Sequence, residues 1–301
     1  MRSDDLREHA SPRNRPRSLM IYCLDTSAIN RLLDDPEREP IIKTLISVGS
    51  VRITAYNVIE AAKTECEDRR YRLIDLMKRL ADRKRPLDRP NTILLSYAKA
   101  HADSAAAALV NADDQLEGLW IALNQPDLVD EDARQELINW AADWEGDFSK
   151  VVAGDRDQFQ TLFQEVPHER PRTIAATLRL YFNRRDECRS LIGDVYQRHT
   201  QTPLTDSAYQ VLVREPAWPL YFIGYAYAVH KRAIQEYKFQ ERRNAGAIDL
   251  GQAVYLTMCD RFITNDRAQY RAIRLLNVLN TKRKTQVMRY DYFRKRLLAF
   301  A

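Results

Sequence analysis

Four acidic side chains stand beside short apolar segments of the sequence and could together bind a metal ion. Asp25 ends the apolar segment Met20–Leu24, and Asp266 follows the segment RFIT. Glu60 and Asp249 stand near the starts of helical segments, in NVIEAA and AIDLGQAV. Crowded carboxylates raise one another's pKa, and a divalent cation removes that repulsion. Oxygen ligands with no nearby histidine or cysteine suit Mg²⁺ or Mn²⁺.

The chemistry expected of such a cluster is the hydrolysis of phosphate esters. A divalent cation polarises a phosphate group and lowers the pKa of a bound water. Each acid also has a structural interpretation, which the sequence leaves open. Asp25 and Asp266 suit the N-cap of a following helix. Asp249 suits a helix N-terminus, and Glu60 could be a solvated helix residue.

The four acids can converge only if the predicted strands are parallel neighbours. Strands are predicted at Met20–Leu24, Val51–Thr54 and Arg261–Thr264, with a closing strand within TQVMRYDYF. Segments with helical spacing of apolar residues separate them. Right-handed crossovers would bring the carboxyl ends of parallel strands to one edge of the sheet. The sequence therefore predicts an α/β fold with a mostly parallel sheet.

A long region without strand patterns separates the two α/β units. Residues 19–90 and 242–301 are predicted to form one core, which a large helical insertion at residues 91–241 interrupts. Residues 1–18 are polar and contain proline, so we expect a disordered tail.

Charge is distributed unevenly along the chain, although its net value is only +5. Residues 111–150 contain eleven acids and two bases, whereas residues 261–301 contain eleven bases and two acids. In the basic part, Arg267, Arg271 and Arg274 recur at helical spacing just after Asp266. They could contact phosphates of a nucleic acid, or they could form a solvated helix face.

Several classes of protein do not fit the sequence. The four cysteines lack CxxC spacing, which argues against a zinc site and a disulfide framework. The chain has no glycine-rich phosphate loop, and its five histidines are dispersed. Because no segment looks like a signal peptide or a membrane span, we expect a soluble, cytoplasmic protein without a membrane partner.

The order of the four acidic motifs resembles that of the PIN-domain nucleases. The motifs are a strand followed by DTS, then NVIEAA, AIDLGQAVYL and FITND. The resemblance covers about half of the chain and implies a three-layer α/β/α core. It implies a magnesium- or manganese-dependent ribonuclease, a hydrolase whose metal-binding and catalytic residues are Asp25, Glu60, Asp249 and Asp266.

The resemblance also implies roles for four small polar residues. These residues would orient ligands or water around the metal: Thr26, Ser27, Thr264 and Asn265.

The resemblance further implies a substrate and partner proteins. The implied substrate is RNA. The bacterial toxin-type members of the family suggest a toxin-antitoxin or stress role, with an antitoxin-like inhibitor protein or a second copy of the chain as partner.

Two other functions stay open at this point. A structure-specific DNase could use a similar acidic core on another substrate. A PIN-like module could instead bind a partner through the insertion, without catalysis. The insertion departs from the compact members of the family, so the biological role does not follow from the motifs.

Overall fold

The computed structural model describes seven segments and a few single residues of the chain. The segments are 19–81, 85–99, 114–125, 129–143, 202–224, 247–281 and 283–299, and the single residues are 150, 189, 193, 196 and 197. The predicted tail, residues 1–18, and much of the predicted insertion lie outside these residues.

Four parallel strands form the sheet at the centre of the fold. They are β1 (Met20–Leu24), β2 (Gly49–Arg52), β3 (Arg261–Thr264) and β4 (Gln286–Arg289), in the spatial order β2-β1-β3-β4. Every pairing between neighbouring strands is parallel. The predicted α/β class and its parallel sheet are therefore confirmed.

Helices make up most of the remaining described residues. Two 3₁₀ helices occupy Gln252–Thr257 and Asn277–Leu279, and residues 131–143 and 217–224 are also helical. The other helices are α1 (Thr26–Leu33), α2 (Arg38–Val48), α3 (Ala55–Ala62), α4 (Glu67–Leu80), α5 (Pro90–Lys99), α6 (Asp114–Asn124), α7 (Asp206–Leu212), α8 (Ala247–Gly251), α9 (Arg267–Leu276) and α10 (Tyr290–Leu298). No helix among the described residues is both long and apolar enough to cross a bilayer.

Both faces of the sheet are apolar and covered by helices. Successive strand residues point to opposite faces, so Leu24 and Ile263 belong to one buried cluster and Cys23 and Phe262 to the other. Helices α1, α2, α4 and α10 pack in the first cluster, and α5, α9 and the first 3₁₀ helix pack in the second. Burial of both faces explains why β1 is an almost continuous apolar run.

Described parts of the predicted insertion pack onto this same core. Leu119 and Trp120 of α6 are buried in the first cluster, whereas Trp218 and Leu220 are buried in the second. The described residues between 91 and 241 include no strand, as the sequence predicted. These helical segments therefore contribute to the hydrophobic core on both sides of the sheet.

The boundaries of two predicted strands differ from those observed. The second strand is Gly49–Arg52 instead of Val51–Thr54, because Thr54 serves as the N-cap of α3. The closing strand ends at Arg289, and α10 begins at once with Tyr290. The aromatic residues of TQVMRYDYF suit a strand locally, but in the fold Tyr290 and Phe293 are buried on one face of a helix.

The helix predicted over residues 247–259 is divided in two. Regular α-helix ends at Gly251, and the chain continues as a 3₁₀ helix. A Cβ atom at Gly251 would lie only 3.0 Å from the Tyr56 hydroxyl oxygen, so a larger residue here would have to displace that side chain of α3. Glycine is also a poor residue for the interior of an α-helix.

Candidate active site

Asp25 lies at the carboxyl edge of the sheet, directly after β1. Its backbone N–H donates to the carbonyl of Ile263 at 2.9 Å, which extends the pairing of β1 with β3 by one residue. Its Oδ1 accepts from the N–H of Ala28 at 2.8 Å, so Asp25 is the N-cap of α1. The carboxylate is nevertheless only 4% exposed. The capping interpretation is therefore correct, and it leaves a buried carboxylate at the edge of the sheet.

The strand order makes this edge a natural place for a ligand. From β1 the chain runs first to β2 on one side, and later to β3 and β4 on the other side. The crevice between the ends of β1 and β3 is thus the point where the strand order reverses. Open α/β sheets bind ligands at this point. Asp25 stands on one side of the crevice, and Thr264 stands on the other.

Two hydroxyl groups hold the Asp25 carboxylate across this crevice. Ser27 Oγ donates to the carboxylate, with distances of 2.8 and 2.9 Å to its two oxygens. Ser27 Oγ also accepts hydrogen bonds from the backbone N–H groups of Asn265 and Asp266, at 2.9 and 3.1 Å. Thr264 Oγ1 lies 2.9 Å from Asp25 Oδ2. Ser27 and Thr264 therefore contact the acid that they were predicted to orient, whereas Asn265 contributes its backbone.

Glu60 is held by a second set of polar groups, on α3. The Thr26 hydroxyl hydrogen-bonds the Glu60 carboxylate. Asn57 is fully buried, and its Nδ2 donates to Thr26 Oγ1 and to the carbonyl of Leu24, both at 3.1 Å. Its Oδ1 accepts the N–H of Thr54 at 2.8 Å. This chain of hydrogen bonds fixes α3, and with it Glu60, against the end of β1.

Three of the four predicted acids influence one another's ionisation. Burial raises the pKa of Asp25 to about 7; hydrogen bonds from Ala28, Ser27 and Thr264 oppose this rise, and the charge of Asp249 adds to it. Burial also raises the pKa of Glu60 to about 7, and the charges of Asp249 and Asp25 add to this rise. The structure therefore brings Asp25, Glu60 and Asp249 into one electrostatically coupled group.

Asp266 lies at the same edge and caps a helix as Asp25 does, but it has no major effect on the pKa of Asp25 or of Glu60. Its Oδ1 accepts the N–H of Gln269 at 2.7 Å, so Asp266 is the N-cap of α9. Its charge is not among the main causes of the raised pKa of Asp25 or of Glu60. The fold thus places Asp266 beside the other acids, with one carboxylate oxygen engaged in its own helix.

The donors fit a hydrated oxygen-seeking cation better than a closed four-carboxylate shell. Within the described part of the chain, no three Asp, Glu, His or Cys side chains are arranged so that they could hold an ion by themselves. Mg²⁺ commonly keeps several waters and binds only one or two carboxylates. The oxygen-only donors and their raised pKa values suit such an ion, and the predicted sharing of one ion by four carboxylates stays a prediction.

The three predicted nucleic-acid-binding arginines are exposed on α9. Arg267 is in the first turn of the helix, and Arg271 and Arg274 follow at spacings of four and three residues. Such spacings place the three side chains along one side of the helix. Contact with nucleic acid stays a prediction for these residues.

Two buried polar residues of this edge were not predicted from the sequence. Asn57 is one, although its position three residues after Thr54 is the spacing of a capping box. Gln269 is the other: its Oε1 lies 2.6 Å from Thr264 Oγ1, and its Nε2 donates to the backbone carbonyl of Asp249 at 3.4 Å. No sequence signal distinguishes Gln269 from the exposed polar residues of α9.

Comparison with known proteins identifies no relative of this chain: no family model, no curated protein and no solved structure matches it. The function must therefore be argued from the residues of the site.

We expect Ser27→Ala to destabilise the protein through the edge of the sheet. The change removes the acceptor of the Asn265 N–H, one of the two acceptors of the Asp266 N–H, and a donor to Asp25. The free energy of unfolding should therefore fall by about 1–3 kcal/mol. Urea denaturation measures the loss. Ser47→Ala is the matched control, because Ser47 is exposed and, among the described residues, its hydroxyl bonds the carbonyl of Thr44 alone. Equal effects of the two substitutions would contradict the role given to Ser27.

The stability of the metal-free protein should depend on Asp25 in a pH-dependent way. Its folded pKa of about 7 is above the ordinary value of 3.8. The folded state therefore binds the proton more tightly, and its stability falls as pH rises from about 4 to about 7. Asp25→Asn removes this dependence. The free energy of unfolding of the variant, relative to that of the wild type, should therefore be about 2–4 kcal/mol higher at pH 8 than at pH 4.5. Denaturation in EDTA at both pH values measures this change, and a relative stability that is the same at both pH values would refute the raised pKa of Asp25.

Proposed function

We propose that the protein is a metal-dependent endoribonuclease of the PIN-domain type. The observation that carries the proposal is the coupled group of Asp25, Glu60 and Asp249 at the point where the strand order reverses. Burying carboxylates beside one another is unfavourable in the absence of a cation. Such an arrangement is typical of functional sites in which a ligand compensates the charge.

The order of the acids along the chain supports the same proposal. Asp25 follows the first strand, Glu60 lies on the helix after the second, Asp249 is on the helix before the third, and Asp266 follows the third. This is the order on which the resemblance to PIN-domain nucleases depends. RNA as the substrate, and a toxin-type or stress role, rest on that resemblance alone.

Each residue of the site has a defined task in this proposal. Asp25, Glu60 and Asp249 would hold a hydrated Mg²⁺ or Mn²⁺, in part through its waters. A bound cation would supply Lewis acidity to a phosphodiester and a water of lowered pKa. Ser27 and Thr264 keep the Asp25 carboxylate in place, and Thr26 does so for Glu60. Near neutral pH, Asp25 and Glu60 are partly protonated, so each must release its proton before it can act as a ligand.

A second candidate function is a non-catalytic module that binds a partner. It is favoured by the capping roles of Asp25 and Asp266, which give both acids a purely structural task. The lack of a ready-made three-ligand site among the described residues is consistent with this alternative. The two candidates differ in whether the protein takes up Mn²⁺.

Cleavage of labelled single-stranded RNA should require Mn²⁺ or Mg²⁺ and stop in EDTA. We expect Asp25→Asn and Glu60→Gln to lower kcat/KM at least about 100-fold, because neutral amides of the same shape cannot compensate the charge of a cation. Asp75→Asn, a change of an exposed acid on α4, is the matched control and should retain activity. EDTA-sensitive cleavage that survives in Asp25→Asn would contradict the proposal. A parallel digest of single-stranded and flap DNA tests the DNase alternative.

Mn²⁺ binding should strengthen as pH rises from 6 to 8. Because the pKa values of Asp25 and Glu60 are about 7, protons compete with the cation below this pH, and binding should release up to two protons. Calorimetry in buffers with different enthalpies of ionisation measures both the affinity and the proton release. A folded protein that takes up no Mn²⁺ at pH 8 would favour the non-catalytic module.

A further inference from the structure

A cleft lies beside the outer edge of β4. Its volume is about 620 Å³, and side chains of α9, β4 and α10 line it, among them Arg274, Arg289 and Tyr292. β4 is the last strand in the sheet, and no strand among the described residues pairs with its outer edge. None of the residues that line the cleft is acidic.

Two arginine–tyrosine pairs stand at this cleft. The guanidinium of Arg274 lies 5.6 Å from the ring centroid of Tyr270, and that of Arg296 lies 5.9 Å from the ring centroid of Tyr292. Tyr292 is 53% exposed. Aromatic rings stack on unpaired bases, and nearby arginines contribute both charge and cation–π attraction.

Arg289 also lines the cleft. Its side chain is 31% exposed, and among the described residues its Nη2 makes a long ion pair of 3.5 Å with Asp291. A phosphate oxygen entering the cleft could bind the exposed part of this guanidinium, because arginine binds phosphate with several parallel donors.

A second arginine-containing cleft shows why this one is different. It has a volume of about 310 Å³ and lies against α4. There Arg79 and Arg38 both pair with Glu39, and Asp75 lines the cleft as well. In the cleft beside β4, no carboxylate among the described residues lies within ion-pair distance of Arg274. Its positive charge is therefore available to a ligand.

The exposed arginines of α9 connect this cleft with the acidic edge. Asp266 caps the helix beside the acidic group, and Arg274, which lines the cleft, is two turns further along. Between them stand Arg267 and Arg271. From Arg267 to Arg274 the helix rises about 10 Å. A chain with regularly spaced phosphates could follow this side of the helix.

We propose that the cleft and the arginine side of α9 bind a single-stranded stretch of the RNA that the acidic site cleaves. This inference rests on the proposed function, since it names how that site would receive its substrate. A single strand fits better than a duplex, because only unstacked bases can pack on Tyr270 and Tyr292. An acidic peptide would use the arginines but would supply no base to stack on the two tyrosine rings.

The experiment measures RNA binding without cleavage, by fluorescence anisotropy of a labelled oligouridylate in EDTA, which removes the divalent cations that cleavage would need. We expect the double variant Arg274→Gln/Tyr292→Ala to raise Kd about tenfold or more, through the loss of one phosphate contact and one stacked base. The slope of log K against log salt concentration should become shallower by about 0.7. Both side chains are at the surface, so folding should be unaffected, and circular dichroism checks this.

The matched control is Arg72→Gln/Tyr71→Ala. Arg72 and Tyr71 are also exposed, and they lie on α4, which contacts β2 at the opposite edge of the sheet. This control should bind with a Kd within about twofold of the wild type. Wild-type affinity of the Arg274→Gln/Tyr292→Ala variant would overturn the inference. Equal competition by polyglutamate of matched charge would also overturn it, in favour of an acidic peptide.

The two proposals can fail separately. RNA binding that depends on Arg274 and Tyr292, without any metal-dependent cleavage, would refute the nuclease and leave the binding site standing. Cleavage that depends on Asp25, together with unchanged binding by the double variant, would refute the binding site alone.

Discussion

The buried carboxylate of Asp25 is the constraint on which the carboxyl edge of the sheet depends. It ends β1, caps α1 and is held by hydroxyls from both sides of the crevice between β1 and β3. Ser27 in turn accepts two backbone N–H groups from the turn after β3. Segments about 240 residues apart in sequence are thus joined through one acid and its hydroxyl partners. Changes at this point alter the start of α1 and of α9 together.

The same arrangement opposes stability. Burial and neighbouring charges raise the pKa of both Asp25 and Glu60, which means that their ionised forms are unfavourable in the folded protein. The hydrogen bonds from Ser27, Thr264 and Thr26 offset only part of this cost. Under the proposed function, a bound cation would offset the remaining cost.

The central part of the sequence contributes to the fold in two ways. Its described helices bury Trp120 on one face of the sheet and Trp218 on the other, so they complete the hydrophobic core. Its acidic residues between 111 and 150 contrast with the basic residues of α9, β4 and α10. The exposed arginines of α9 and the arginines beside β4 come from the second α/β unit.

The sequence by itself determined the elements whose signals are local. The apolar run of β1 and the segment RFIT of β3 were predicted correctly as strands, and Asp25 and Asp266 were predicted correctly as possible N-caps. Strand burial and helix capping both produce signals within a few residues. Tertiary structure decided the rest. It ended β4 at Arg289, because Tyr290 and Phe293 are buried on a helix, and it buried Asn57 and Gln269, which in isolation look like exposed helix residues. It also decided that Asp249 lies close enough to Asp25 and Glu60 to raise the pKa of both carboxyls. Distances between residues so far apart in the chain depend on packing, which no local pattern encodes.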